Sequence, residues 1–286
     1  MIYLDNIIFS LQRHGGVSVL WGNLIEALVA GNADARFIDF RNATDNKVRK
    51  NLRIPDEMLI ERTERPVVLE RFRDVKIKDS EKIVFHSSHY RICPEANALN
   101  ITTLHDFTYE FFFKGIQKRV HIWQKYNAIR KADVVVCISE NTRRDLLRFL
   151  PDIPEDRVRV IYNGVSDDYC PLQGSLPDLS NYMLFVGGRQ SYKNFAFAVA
   201  CAKEVGKRLL VAGSPLSEKE KQLVDKELGD DGCRNVVHPD NKSLNEIYNS
   251  VSCLIYPSLY EGFGIPVVEA QKAGCPVTVS YTHLTL

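Results

Sequence analysis

The sequence predicts an α/β protein of two doubly wound halves, on three observations. Short, nearly continuous apolar runs alternate with helix-period segments along most of the chain, the pattern of parallel strands covered on both faces. A turn-rich stretch, 169–180 with Pro171, Gly174 and Pro177, interrupts that alternation once. The length of 286 residues, at roughly 150 residues per domain, leaves room for two domains. The expected division is 1–168 as a first domain, 169–180 as a linker, 181–279 as a second domain and 280–286 as a tail.

In the first half, 2–8 reads as a strand and 17–30 as a helix opening after Gly15 and Gly16. A strand at 35–40 follows. Residues 41–80 are charged and aperiodic and carry no assignment. Strands at 83–86 and 101–104, a helix at 117–130, a strand at 134–138, a helix at 140–149 and a strand at 158–162 complete the half. The second half reads as strand 183–186, helix 194–205, strand 208–211, helix 218–228, strand 236–237, helix 244–251, strand 253–256 and helix 265–273. Ser217 with Glu220, and Ser243 with Glu246, have the spacing of capping boxes.

Composition excludes several classes. Apolar residues make up 45 % and charged residues 26 %, an ordinary globular balance that excludes disordered and fibrous chains. Lysine plus arginine is 37 against 36 acidic residues, so no global field attracts nucleic acid and no nucleic-acid partner is expected. No apolar run reaches the 18 or more residues of a membrane span, and the start lacks a basic targeting segment. Seven cysteines, with Cys137, Cys201 and Cys253 in apolar runs, read as reduced thiols, which suits a cytoplasmic location. Cys and His do not cluster at ligand spacing, so no metal is expected.

Ligands of doubly wound folds bind at the carboxyl ends of strands, and the informative residues lie there. After 253–256 comes a loop with Glu261, Gly262, Phe263 and Gly264, leading into a helix that carries Glu269. The glycines allow close backbone approach, and the helix start favours a phosphate. Two carboxylates can accept bonds from several sugar hydroxyls. From these residues alone, a ligand site and a plain strand–loop–helix with surface glutamates stand equal. Arg189 and Lys193 bracket the turn after 183–186. Two cations at a helix start can neutralise a diphosphate, although alone they read better as solvated loop charges. Gly15 and Gly16 mark at least a tight turn. His105 ends a strand, where a satisfied buried histidine competes with a functional one.

The segment from Glu261 to Glu269, with 244–250, 253–258 and AQKAGCPV at 270–277, resembles the Glu-x7-Glu signature of retaining glycosyltransferases of family 4, which have the GT-B fold. That resemblance implies two Rossmann-like domains facing a central cleft, the second one incomplete. It implies that Glu261 meets the donor sugar, Glu269 the ribose, and the Gly262, Phe263 and Gly264 amides the sugar and diphosphate. It places Arg189 and Lys193 on the pyrophosphate, the Gly15–Gly16 backbone on the donor phosphate, and His105 near the reacting centre. The implied activity moves a hexose, of mannose or glucose type, from a nucleotide-sugar donor to a saccharide or lipid-linked acceptor in surface polysaccharide synthesis. No cofactor is implied beyond the donor. Residues 41–80 match the family poorly. A nucleotide-sugar-binding protein without catalysis is the alternative, and a dinucleotide oxidoreductase is disfavoured because no G-x-G-x-x-G follows the first strand.

Two segments stand apart. Residues 280–286 resemble a translated sequencing adaptor, so native sequence is expected to end near Val277 or Val279; the bland alternative is a natural exposed tail. Tyr109, Phe111, Phe112 and Phe113, followed by Lys114, Lys118 and Arg119, suit peripheral contact with the inner face of a membrane. An aromatic cluster under a loop with solvated basic residues is the preferred reading.

Overall fold

The computed structural model describes residues 1–174 and 176–280. The chain divides after Asn163 into two compact units, each a parallel sheet with helices on both faces.

The first unit holds β1 (Ile2–Asp5), β2 (Ala35–Phe40), β3 (Leu59–Arg62), β4 (Ile83–Ser87), β5 (Ala98–Leu104), β6 (Val134–Cys137) and β7 (Val158–Val160). Their spatial order is β3-β2-β1-β4-β5-β6-β7, with every pairing parallel. Side-chain alternation commits both faces to packing. Leu4 and Phe37 join Trp21 and Ile25 of the helix Gly16–Ala30, whereas Tyr3, Ile38 and Phe85 pack with Val75 and Ile77 on the other side.

The second unit holds β8 (Tyr182–Val186), β9 (Arg208–Gly213), β10 (Cys233–Val237), β11 (Cys253–Tyr256) and β12 (Val277–Val279), in the order β10-β9-β8-β11-β12. Leu184 and Leu254 face one core with Ile247 and Ala270. Met183, Phe185 and Ile255 face the other with Phe195 and Val199. All seven cysteines are free thiols; Cys137 is buried, and Cys201 and Cys253 pack half-buried against the second core.

The structure departs from the sequence reading in four places. The first strand stops at Asp5, and Ile8–Leu11 is a short helix because Ile7, Ile8 and Phe9 are anchored in two cores rather than in the sheet. The capping box at Ser217 and Glu220 is present, but Ser243 caps nothing. Its helix, Asn241–Tyr248, begins one turn earlier, where Asp240 accepts from the Ser243 backbone amide at 2.8 Å. Segment 169–180 belongs to the second unit, since Tyr169 and Leu179 are buried in its core. Residues 41–80 contain β3, an edge strand whose exposed charges hide its period. Of the expected tail, 281–286 lies outside the described residues, while Ser280 donates a hydrogen bond to the Ser258 carbonyl at 2.8 Å.

Candidate functional site

β9 and β10 lie on one side of β8, and β11 and β12 on the other. Strand order therefore reverses between β8 and β11, and the loops leaving their carboxyl ends are neighbours. The loop after β8 carries Arg189 and Lys193; the loop after β11 carries Glu261, Gly262, Phe263 and Gly264. They are stitched together by the Leu259 amide, which donates to the Tyr192 carbonyl at 2.7 Å.

This stitching brings Lys193 and Glu261 into one half-buried ion pair, Nζ to Oε1 at 2.6 Å. Lys193 Nζ also lies 3.5 Å from the Tyr256 hydroxyl. Burial first, and then the Glu261 carboxylate, push the Tyr256 phenol far above its ordinary range, so it stays protonated as a donor at the base of the site.

Arg189 turns elsewhere. Its Nε lies 2.8 Å from Glu220 Oε1, and its Nη2 donates to the Pro215 carbonyl at 2.6 Å. Glu220, the same residue that closes the capping box of the helix Glu218–Leu228, is held below the ordinary carboxylate range; its hydrogen bonds from Arg189 and Ser217 outweigh its desolvation. Arg189 Nη1 is buried without a hydrogen-bond partner. The two cations thus lie on one loop but are assigned to different carboxylates.

Glu269 projects from the helix Ile265–Lys272. The Tyr248 hydroxyl donates to its Oε2 at 3.1 Å, and Tyr169, edge-on to Tyr248 at 5.9 Å, donates from its hydroxyl to Asn241 Oδ1 at 3.3 Å. Burial raises the Glu269 carboxyl, and the Tyr248 hydrogen bond pulls the other way. Neither tyrosine was singled out from sequence. Tyr169 lies in the stretch that reads as a linker, and only the core position of its ring brings it beside Tyr248. Gly264 caps the same helix at φ +90°, a left-handed conformation that favours glycine.

In the first unit, Gly15 and Gly16 sit at the start of the helix Gly16–Ala30. A Cβ at Gly16 would meet nothing within 4 Å, so its backbone is open to approach. His105 follows β5 directly. Desolvation lowers it from the ordinary histidine value, against the pull of Asp106. Three further histidines that sequence did not flag are buried in the same unit. His86 accepts or donates at 2.9 Å to Thr103 Oγ1, and burial brings it down to about 4. His89 is brought down to about 3 and His121 to about 4, again chiefly by burial. All are neutral at pH 7. The aromatic stretch packs on itself: Tyr109 stacks on Phe113 at 4.4 Å and on His121 at 3.8 Å, and Lys118 donates to the Glu110 carbonyl.

Among the described residues, no group of three His, Cys, Asp or Glu side chains could hold a metal ion, and no helix is long and apolar enough to cross a membrane.

Residues 14–169 match the model of glycosyltransferase family 4, and 173–284 that of glycosyl transferases group 1. The Escherichia coli O-antigen chain mannosyltransferase B is 24 % identical over 273 residues, covering 86 % of this chain and 71 % of that protein. The chain spans about half the length of two other curated relatives. Sucrose-phosphate synthase of Thermosynechococcus elongatus superposes with a TM-score of 0.73 at 18 % identity, over 98 % of this chain and 81 % of that one. Anabaena HepE, solved in complex with UDP and glucose, does so with a TM-score of 0.69 at 14 % identity, over 98 % and 80 %. The two parallel-sheet units are those of the GT-B glycosyltransferase fold, and the chain belongs to glycosyltransferase family 4.

Proposed function

We propose that this chain transfers a hexose, of mannose or glucose type, from a nucleotide-sugar donor to a saccharide or lipid-linked acceptor, with retention of anomeric configuration, in surface polysaccharide synthesis. The observation that carries the reading is the joining of Lys193 and Glu261 where strand order reverses, beside the Gly264-capped helix. A cation, a carboxylate and a helix start beyond the carboxyl ends of two neighbouring strands match the needs of a sugar joined to a diphosphate. The mannosyltransferase name of the Escherichia coli relative supports the sugar type, and the UDP and glucose bound by Anabaena HepE support the donor class.

In this reading Lys193 and Arg189 neutralise the departing diphosphate. Glu261 orients the sugar through its hydroxyls and Glu269 holds the ribose, while the Gly262, Phe263 and Gly264 amides line the sugar and diphosphate. In the first unit, Gly15 and Gly16 offer backbone to phosphate, and neutral His105 serves the reacting centre as a hydrogen-bonding group. The leaving phosphate takes the proton of the acceptor hydroxyl, which attacks from the face it vacates. No metal or other cofactor is needed, because fixed cations supply the leaving-group charge.

The test is a thermal-shift panel of UDP, GDP, ADP and their sugars, followed by transfer from the donor selected. A selective shift for one diphosphate, lost in Lys193→Ala and Glu269→Ala, supports the reading. Donor binding with neither transfer nor hydrolysis leaves a nucleotide-sugar-binding protein instead. No shift with any nucleotide overturns it.

A further inference from the structure

The fully buried cations of the first unit have carboxylate partners. Arg49 pairs with Asp39 at 2.6 Å, Arg91 with Asp5 and Glu70, and Lys125 with Glu110 at 2.7 Å. Arg71 is half-buried and, among the described residues, has no carboxylate. Its Nη2 makes one long contact, 3.4 Å to the Gln124 amide oxygen, and its Nε is buried with no partner. Burial lowers it from the ordinary arginine value. An unpaired guanidinium out of water is costly, so the place where it sits bears on what it meets.

Arg71 lines a cavity of about 410 Å³ with Phe72, Tyr109, Ile116, Val120 and His121, a volume in the small-ligand range. Its guanidinium lies over the Phe72 ring at 5.0 Å. His121 is neutral and its Nδ1 is likewise without a partner. The apolar side of the cavity does not end at its rim. Ile116, Val120 and Trp123 follow each other at helical spacing on Gly115–Lys131 and are exposed by 78, 38 and 61 %. Val68 and Leu69, on the helix Val67–Glu70 beside Arg71, are also exposed. Exposed apolar residues gathered around a cavity mark an interaction site, and Lys114 and Arg119, on and just before the same helix as Ile116 and Val120, are exposed.

The geometry points to a binding site for the phosphate of a long-chain lipid, with Arg71 receiving the phosphate and Phe72, Ile116 and Val120 receiving the first apolar segment of the chain. A free sugar phosphate would satisfy Arg71 but leave the apolar surface in water. A neutral chain would cover that surface but leave Arg71 unpaired. Only a ligand carrying both groups answers both. The inference rests on the transferase reading in one respect, that this lipid carries the acceptor; the binding itself does not depend on it.

The experiment uses the full chain and its two tryptophans. Trp21 is buried and Trp123 exposed, so a change in Trp123 emission reports occupancy. Farnesyl phosphate, below its micelle concentration, is titrated against farnesol and inorganic phosphate. The expected result is a saturable blue shift with farnesyl phosphate, binding at least tenfold weaker for farnesol, and no response to phosphate. Arg71→Gln brings farnesyl phosphate to the farnesol level. Ile116→Glu, at a position 78 % exposed where a polar side chain is expected to be tolerated, weakens both prenyl ligands at least tenfold. Equal binding of farnesyl phosphate and farnesol, an unaffected Arg71→Gln, a comparable response to phosphate alone, or no response at all overturns the inference. A chain that binds a nucleoside diphosphate but not farnesyl phosphate defeats this inference and leaves the transferase. The reverse pattern defeats the transferase and leaves the lipid site.

Discussion

Lys193 and Glu261 lie 68 residues apart in sequence and 2.6 Å apart in space. They belong to the two loops that leave the sheet where its strand order reverses. Without a ligand, each neutralises the other. A donor diphosphate would take Lys193 from Glu261, and a donor hexose would take Glu261 from Lys193. In the proposed transfer, the pair is a resting arrangement of two ligand groups.

Separating the two roles by substitution follows directly. Lys193→Ala is expected to weaken nucleoside diphosphate binding at least tenfold, about 1.4 kcal/mol, as read by calorimetric titration. Glu261→Gln removes the competing carboxylate. It is expected to hold or tighten diphosphate binding while cutting transfer roughly a hundredfold, on the order of 2.7 kcal/mol. Parallel losses of diphosphate affinity in both variants would contradict the assignment of Glu261 to the sugar.

Glu220 carries Arg189 and the cap of its own helix at once. Glu220→Ala leaves a mostly buried guanidinium unpaired and removes the cap. Together these are expected to cost about 2–4 kcal/mol in urea unfolding. Glu218→Ala, on the same turn but facing solvent toward Lys221, is expected to leave the midpoint in place.

Two glycines separate folding from binding. Gly264→Ala must hold φ +90° and is expected to lose about 1–2 kcal/mol of stability. Gly16→Ala meets open space at a helix start, so melting should not fall. Transfer should fall nonetheless, because the methyl occupies the approach to the backbone. Unchanged transfer in Gly16→Ala would remove the first-unit glycines from the site.

The pH dependence has two opposing parts. Histidines 86, 89 and 121 are held at about 4, about 3 and about 4, below the unfolded value of about 6.5. As pH falls below 6.5 the unfolded chain takes up protons first. Stability is then lost until the folded values are reached, with a slope of up to about 1.4 kcal/mol per pH unit for each histidine. Urea midpoints between pH 7 and 4.5 should show this loss, and His121→Gln should reduce its slope. Glu269 runs the other way, since its carboxyl is raised by burial. Its charge opposes folding above the unfolded value of about 4.3. Glu269→Gln should unfold later than the parent at pH 7, an advantage that vanishes below about pH 4, while donor binding is lost.

What sequence determines here is local or periodic. Two alternations of apolar strand and helix specify two parallel-sheet units, because β1, β8 and their central neighbours are apolar on both faces. Glu261, Gly264 and Glu269 are legible because they are a loop and one helix, contiguous in the chain. The polar edge strand β3 was not legible, since half-exposed edges lose the period that marks a strand. The same holds for the pairing of residues far apart. Nothing in the spacing of Arg189 and Lys193 says that one turns to Glu220 and the other to Glu261. Nor does the chain around Tyr169 say that its ring leaves an apparent linker to pack on Tyr248, the residue that holds Glu269. Those choices were decided by strand order, which brings two loop ends side by side, and by burial, which pairs Arg189 with Glu220 and Lys193 with Glu261.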